Sequence, residues 1–176
     1  MILLLNGAFG IGKTSVAHSV VKQRPDVGLV NPEPIGVGLQ RGSRLLGIEV
    51  DDFQDLHMWR ALTVQLVKAA AWRGKHVIVP MAFDNIDYLR EIRLGLERSG
   101  MECHHVCLIA PEDVVHARLR QRGADTKRNA WEYRRASQCC IAHVRSEFAT
   151  HVDANARTPD AIATELLRSW DFGTVS

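Results

Sequence analysis

Residues 7–14 read Gly7-Ala8-Phe9-Gly10-Ile11-Gly12-Lys13-Thr14, a glycine, four residues, then Gly-Lys-Thr. That is the spacing of a phosphate-binding loop. Its surroundings agree with its letters. Ile2-Leu3-Leu4-Leu5 precedes it as a short apolar strand, and a helical stretch from about Thr14 to Gln23 follows. A glycine-rich turn between strand and helix lets successive backbone N–H groups point at one cluster of phosphate oxygens. Gly7, Ala8, Phe9, Gly10, Ile11, Gly12 and Ser15 are therefore expected to line a nucleotide site. Lys13 is expected to reach the β- and γ-phosphates, and the Thr14 hydroxyl to hold Mg²⁺. A plain strand-to-helix turn needs no Lys-Thr pair after its last glycine.

Composition bounds what surrounds the loop. The chain has 176 residues, 46% of them hydrophobic, which suffices for one domain with a real core. No apolar run approaches the ~18 residues of a membrane span. The apolar stretch Ile2–Leu5 has no basic lead-in, so it reads as a buried strand rather than a signal peptide. A net charge of +2 is too slight to point to nucleic acid. Cys103, Cys107, Cys139 and Cys140 lack the paired spacing of a zinc site. Cys103 and Cys107 would share one face of a strand and pack in the core. Disulfides are not expected, and a cytoplasmic setting is.

Short apolar strands alternate with helical patterns along the rest of the sequence. Gly28–Val30 reads as the second strand, running into Asn31-Pro32-Glu33-Pro34, where two prolines argue for a stiff turn that holds Glu33 at a strand end. A glycine-interrupted helix spans about Gly36 to Leu46. A long helix runs from Asp52 to about Trp72, with an apolar stripe at Leu56, Trp59, Leu62, Leu66 and Ala70. After the turn signal Gly74, His76–Pro80 forms the third strand. Asn85–Ser99 is helical and closed by Gly100. Glu102–Ile109 is the fourth strand, Pro111 opens a helix that ends at Gly123, and a polar loop reaches Asn129. Helix then runs from Ala130 to about Phe148, a short strand lies near His151–Asp153, and Thr158-Pro159-Asp160 caps a last helix ending near Trp170. This order specifies an α/β fold with a mostly parallel sheet. Ligands in such sheets bind beyond the carboxyl ends of the strands, where both the glycine loop and Glu33 fall.

Several charged residues are candidates for that edge. Arg118 and Arg122 are four apart and share one face of their helix, which leads into the basic loop carrying Lys127 and Arg128; Arg134 and Arg135 follow. Arginines flanking a polar loop over residues 123–130 form the pattern of a lid whose guanidiniums neutralise a transferring phosphoryl group. A solvated basic face is the alternative. Glu33 is placed to hold a substrate hydroxyl and accept its proton, or else is an acid on a surface turn. Asp51 with Gln54 has the spacing of a capping box; one of Asp51 and Asp52 is expected to cap, and Asp52 is the candidate for the site. Trp59 belongs to an apolar stripe, while Arg60 beside it is suited to reach substrate. Asp153 and Asn155 follow the last strand, where a nucleotide base could be wrapped. His104 and His105 point to opposite faces of a strand, and neither is assigned a catalytic role. No acid ends the third strand; Asp84 is the nearest, so Thr14 and water are expected to hold most of the metal.

The run Asn6–Thr14 resembles the start of the tunicamycin-resistance proteins, within the nucleotide-kinase-like group. The likeness continues in Pro32-Glu33, Asp51-Asp52-Phe53-Gln54, Trp59-Arg60, Val79-Pro80-Met81, His104-His105, the stretch from Arg118 to Arg122, Trp131 and Cys139, and so covers about Met1 to Asp160. Asn31 departs from it, since the family carries Asp before the Pro-Glu pair. Asn cannot act as a base, which leaves Glu33 as the proton acceptor on that turn. The resemblance implies a five-stranded parallel core with a lid, ATP as ligand, and protection against a nucleoside-like antibiotic. The favoured reading is an ATP- and Mg²⁺-dependent kinase of a hydroxylated small molecule, with Lys13, Glu33, Arg118 and Arg122 catalytic and Glu33, Asp52, Trp59, Arg60, Arg128 and Arg134 at the substrate. Sequestration of the drug without turnover, or phosphorylation of an ordinary metabolite, are the alternatives. The guanine signature of a GTPase is absent. Little sequence follows the last helix, which argues against an amphipathic membrane tail.

Overall fold

Every residue of β1 (Ile2–Gly7) is buried, as an unbroken apolar run demands of a parallel strand covered on both sides. Leu3 and Leu5 point into one core, Ile2 and Leu4 into another. The chain is described here by a computed structural model, over residues 1–49, 51–72, 76–148 and 150–170. Gly74, read from sequence as a turn signal, lies outside the described residues, as do residues 171–176. The remaining strands are β2 (Val27–Leu29), β3 (His76–Met81), β4 (Cys103–Ile109) and β5 (His151–Asp153). They form one five-stranded sheet in the order β2-β3-β1-β4-β5, parallel throughout. All strand carboxyl ends therefore open on one edge.

One face of the sheet packs Val16, Ala17 and Val20 of α1 (Lys13–Gln23), Val115 and Leu119 of α5 (Glu112–Gln121), and Ile162, Ala163 and Leu166 of α7 (Pro159–Ser169). Trp59 and Val67 of α3 (His57–Ala71) and Leu89, Ile92 and Leu96 of α4 (Ile86–Glu97) cover the other face. Cys103 and Cys107 both pack on that second side, as their spacing required. Gly100 closes the turn after α4 at φ +76°, donating its N–H to the Glu97 carbonyl at 2.9 Å.

Three helices differ from the sequence reading. α2 (Glu33–Leu45) begins at Glu33 itself, because Pro34 falls in the first turn, where a missing N–H costs nothing. The expected helix from Asp52 is interrupted: Phe53–Asp55 is a 3-10 turn, Leu56 is extended, and α3 starts at His57. The buried stripe of α3 is Trp59, Thr63 and Val67, while Leu62 faces solvent at 40% exposure. α6 (Ala130–His143) stops short of Phe148, which lies in a separate 3-10 turn.

Between α6 and the sheet, the His143 ring packs against Phe148 with centroids 5.1 Å apart, and His105 faces the same Phe148 ring at 6.4 Å. Burial holds both imidazoles down, each at about 4 against the ordinary 6.5. An unfolded chain takes up protons below about 6.5 that these folded rings refuse until about 4. Folding stability should therefore fall as pH drops through that window. His105→Phe should make the decline shallower, as urea unfolding at pH 7.5, 6 and 5 would read directly.

Candidate active site

The phosphate-binding loop leaves the centre of the sheet and enters α1. Gly10 and Gly12 adopt φ +84° and +110°, a region closed to most residues with a Cβ. At Gly10 a Cβ would also lie 2.7 Å from Leu119 Cγ, so only glycine lets the loop seat against α5. Lys13 is 7% exposed, and its Nζ donates to the Ala8 carbonyl at 2.9 Å, 5.6 Å from the centre of the Phe9 ring. Burial draws its ammonium below the usual lysine range, and the Glu33 carboxylate opposes that shift. Glu33 thus lies within electrostatic reach of Lys13. Its own backbone N–H is capped by Asn31 Oδ1 at 3.0 Å. Thr14 and Ser15 follow Lys13 with exposed side chains. An exposed hydroxyl directly after the buried lysine, below a turn of left-handed glycines, suits the metal and the phosphates of a bound nucleotide.

Beside the loop lies a cavity of about 260 Å³ lined by Gly10, Gly12, Ser15, Arg118, Arg122 and Arg157, among others. The two α5 arginines do share a surface there, yet they are held differently. Arg118 donates from Nη1 to the Ile11 carbonyl at 2.8 Å and from Nη2 to the Ala154 carbonyl at 2.7 Å, fastening the loop to the turn after β5. Arg122 caps the end of α5 with its side chain exposed, and its charge is felt at Lys13. Asp153 is exposed, and its Oδ1 accepts from Asn155 N–H at 2.8 Å, shaping that same turn.

A second cavity, about 580 Å³, opens between the 3-10 turn, the start of α4 and α6. Trp131 belongs to its wall and meets the Phe9 ring of the loop edge-on at 5.4 Å, so one wall residue of this cavity touches the phosphate loop. Asp52, rather than Asp51, is the cap of the 3-10 turn: its Oδ1 accepts from Gln54 N–H at 2.9 Å. The same residue faces the cavity, so capping and site are not divided between the two aspartates. Asp52 Oδ2 lies 3.0 Å from Arg135 Nη2, and Arg135 Nη1 donates to Asp84 Oδ2 at 2.6 Å. Burial pushes the Asp52 carboxyl above the usual range, against the Gln54 N–H and the Arg135 guanidinium. Arg134 is exposed on this wall and, among the described residues, forms no ion pair.

Other candidates hold the walls rather than line them. Arg60 is buried, donating from Nε to Glu91 at 2.6 Å and from Nη1 to the Gln54 carbonyl at 2.6 Å, its guanidinium 4.2 Å from the Tyr88 ring centre. It steadies the 3-10 turn from behind. Trp59 is 1% exposed and donates its indole N–H to the Pro32 carbonyl at 3.0 Å, fixing the turn that carries Glu33. Residues 123–130 form hydrogen-bonded turns rather than an open loop: Asp125 Oδ1 accepts from the N–H groups of Lys127 and Arg128. The Arg128 side chain is exposed there and lines neither cavity.

The sequence matches the family model described as an AAA domain over residues 2–139. The chain belongs to that family. Among curated proteins, none matches the sequence. Solved structures of similar shape include a tunicamycin resistance protein from Deinococcus radiodurans, 27% identical, covering 96% of this chain and 94% of that one, with a TM-score of 0.74. A gluconokinase from Sinorhizobium meliloti is 17% identical with a TM-score of 0.68, over 94% of this chain and 89% of that one. A shikimate kinase from Acinetobacter baumannii is 13% identical with a TM-score of 0.63, over 99% and 95% respectively. The fold is thus the P-loop, nucleotide-kinase-like one, and the family likeness read from the sequence extends to the structure.

Four residues at the heart of this member of the family are joined in ways their sequence positions do not show. The Asn6 carboxamide accepts from Phe83 N–H at 2.8 Å and donates to the Phe83 carbonyl at 3.0 Å. His143 Nε2 lies 2.6 Å from that carbonyl, which assigns the ring proton to Nε2. Asp84 and Arg135 complete the set. A polar residue ending an otherwise apolar strand was the one available signal for Asn6. β3 ends at buried Met81 without an acid, and Asp84 beyond it is engaged by Arg135. Arg135→Ala should cost roughly 3 kcal/mol by leaving Asp52 buried without its countercharge. Adding Asp52→Asn should recover part of that loss in a urea-unfolding double-mutant cycle.

Proposed function

We propose that the protein is an ATP- and Mg²⁺-dependent kinase that phosphorylates a hydroxyl of a nucleoside-like small molecule such as tunicamycin, and so protects against it. The observation that carries this reading is a phosphate loop with its buried lysine, flanked by a cavity sized for a second small molecule. Likeness to a tunicamycin resistance protein over nearly the whole chain supports the choice of acceptor. ATP bound at the loop would supply the phosphoryl group, with Mg²⁺ shielding its charge.

The side chains divide the work by what already holds them. Lys13 and the loop amides position the γ-phosphate, and Thr14 holds the metal. Arg118, bound to two carbonyls, keeps the loop in place beside the nucleotide, while Arg122, with no ion pair among the described residues, meets charge on the transferring group. Glu33 orients the acceptor hydroxyl and takes its proton; its influence on Lys13 supports that position. Asp52 and Arg134 contact the acceptor, with Trp59 and Arg60 bracing the wall and Arg128 carried on the exposed turns of residues 123–130. Asp153 shapes the turn that borders the nucleotide. A cytoplasmic setting fits the use of ATP, and none of the described helices is long and apolar enough to cross a membrane.

Incubating purified protein with tunicamycin, ATP and Mg²⁺ and weighing the drug by mass spectrometry tests this. A product heavier by one phosphoryl group is expected, and Lys13→Ala should lower its formation by at least a thousandfold while circular dichroism stays unchanged. Bound but unmodified drug would turn the reading to sequestration, which the absence of an acid at the end of β3 favours. Turnover undiminished in Lys13→Ala would overturn the loop's role.

A further inference from the structure

The walls of the larger cavity are unequally charged. Five carboxylates, those of Asp51, Asp52, Asp55, Asp84 and Asp87, face three guanidiniums. One of the three, Arg135, is 14% exposed and already shared between Asp52 and Asp84. Arg145 turns toward Glu147 outside the cavity. Only Arg134 remains as an unpaired cation on this wall among the described residues. Two of the outer acids have partners: Asp55 accepts from the Tyr88 hydroxyl at 3.0 Å, and Asp87 pairs with Arg90 at 3.1 Å. The hydroxyl contact leaves the charge of Asp55 in place.

At the inner end the imbalance becomes structural. Asp52 is 7% exposed, and its Oδ2 accepts no aligned hydrogen bond although Arg135 stands 3.0 Å away. A buried carboxylate oxygen left in that state favours positive or neutral polar company and penalises a second anion. Among the described residues, no group of three His, Cys, Asp or Glu side chains is arranged to hold a metal ion. Walls with an excess of one sign around a recess focus their field on whatever enters.

We infer that this cavity selects an uncharged or cationic polyhydroxylated acceptor and turns away carboxylates and phosphates. The inference rests on the kinase reading for the word acceptor, but the charge preference belongs to the cavity itself. It separates this chain from a kinase of sugar acids. Gluconate and shikimate, named by two structures of the same fold, are both carboxylic acids and would meet repulsion here. An uncharged nucleoside or an amino sugar would not.

Three probes with the same hydroxylated chain and different charge at one end test this: gluconate, glucitol and glucamine. Their affinities are measured by saturation-transfer NMR on the full chain loaded with a non-hydrolysable ATP analogue, which occupies the cationic phosphate loop and leaves the second cavity to the probe. Glucamine and glucitol should bind at least about tenfold more tightly than gluconate at low salt, and the gap should narrow at high salt. The Asp55→Asn, Asp87→Asn double variant should narrow it as well. Gluconate binding as well as glucamine would overturn the inference, as would a preference that ignores the double variant or a failure of all three probes to bind. A charge preference that survives while no drug is phosphorylated would remove the kinase reading and leave the selectivity standing.

Discussion

The Asn6 carboxamide is the tie on which the rest of the site depends. Asn6 is the last residue before Gly7, it is fully buried, and both ends of its amide engage the backbone of Phe83. His143 of α6 meets the same carbonyl. Three segments that are far apart in the chain are thereby held in one register: the root of the phosphate loop, the turn that carries Asp84, and the helix that carries Trp131, Arg134 and Arg135. Each of these polar groups would be costly to leave unpaired in so dry a place, about 1–3 kcal/mol apiece. That penalty makes the arrangement specific as well as stable.

Charge at the strand edge is divided between groups that are held and groups that are left free. Arg118, Arg60 and Arg135 each have two or more acceptors within the protein, and their geometry shapes walls. Arg122 and Arg134 have no ion-pair partner among the described residues, one beside the smaller cavity at the phosphate loop and one beside the larger cavity. The buried cysteines contribute packing instead of chemistry, since burial pushes Cys139 up to about 12 and Cys107 higher, where little reactive thiolate exists near neutral pH. Residue type alone did not separate these roles. What decides them is how much of each guanidinium's donor capacity carbonyls and carboxylates of the protein have already taken.

Local chemistry carried much of the sequence reading a long way. The glycine loop, the five strands and the cap at Gly100 follow from short-range rules: few residues with a Cβ adopt φ near +80°, and an apolar strand with no polar face must be covered on both sides. At other positions local rules admit more than one solution. Pro34 reads as a helix breaker until the helix starts one residue before it. Asp51 has the capping-box spacing with Gln54, yet Asp52 is the cap, with the countercharge of Arg135, 83 positions away in the chain, beside it. Leu62 fits a helical stripe as well as Thr63 does, and only the direction from which the sheet approaches α3 settles which is buried.

The sequence by itself determined that a phosphate-binding loop stands at the end of a central parallel strand, because glycine spacing and an unbroken apolar run admit few alternatives. Tertiary structure alone decided which charged residues face a ligand and which serve the scaffold, and it alone built the acid-walled cavity beside the loop. Those outcomes depend on partners brought together across the fold. A guanidinium or a carboxylate has the same local propensities whether its partner is a carbonyl, a countercharge or solvent.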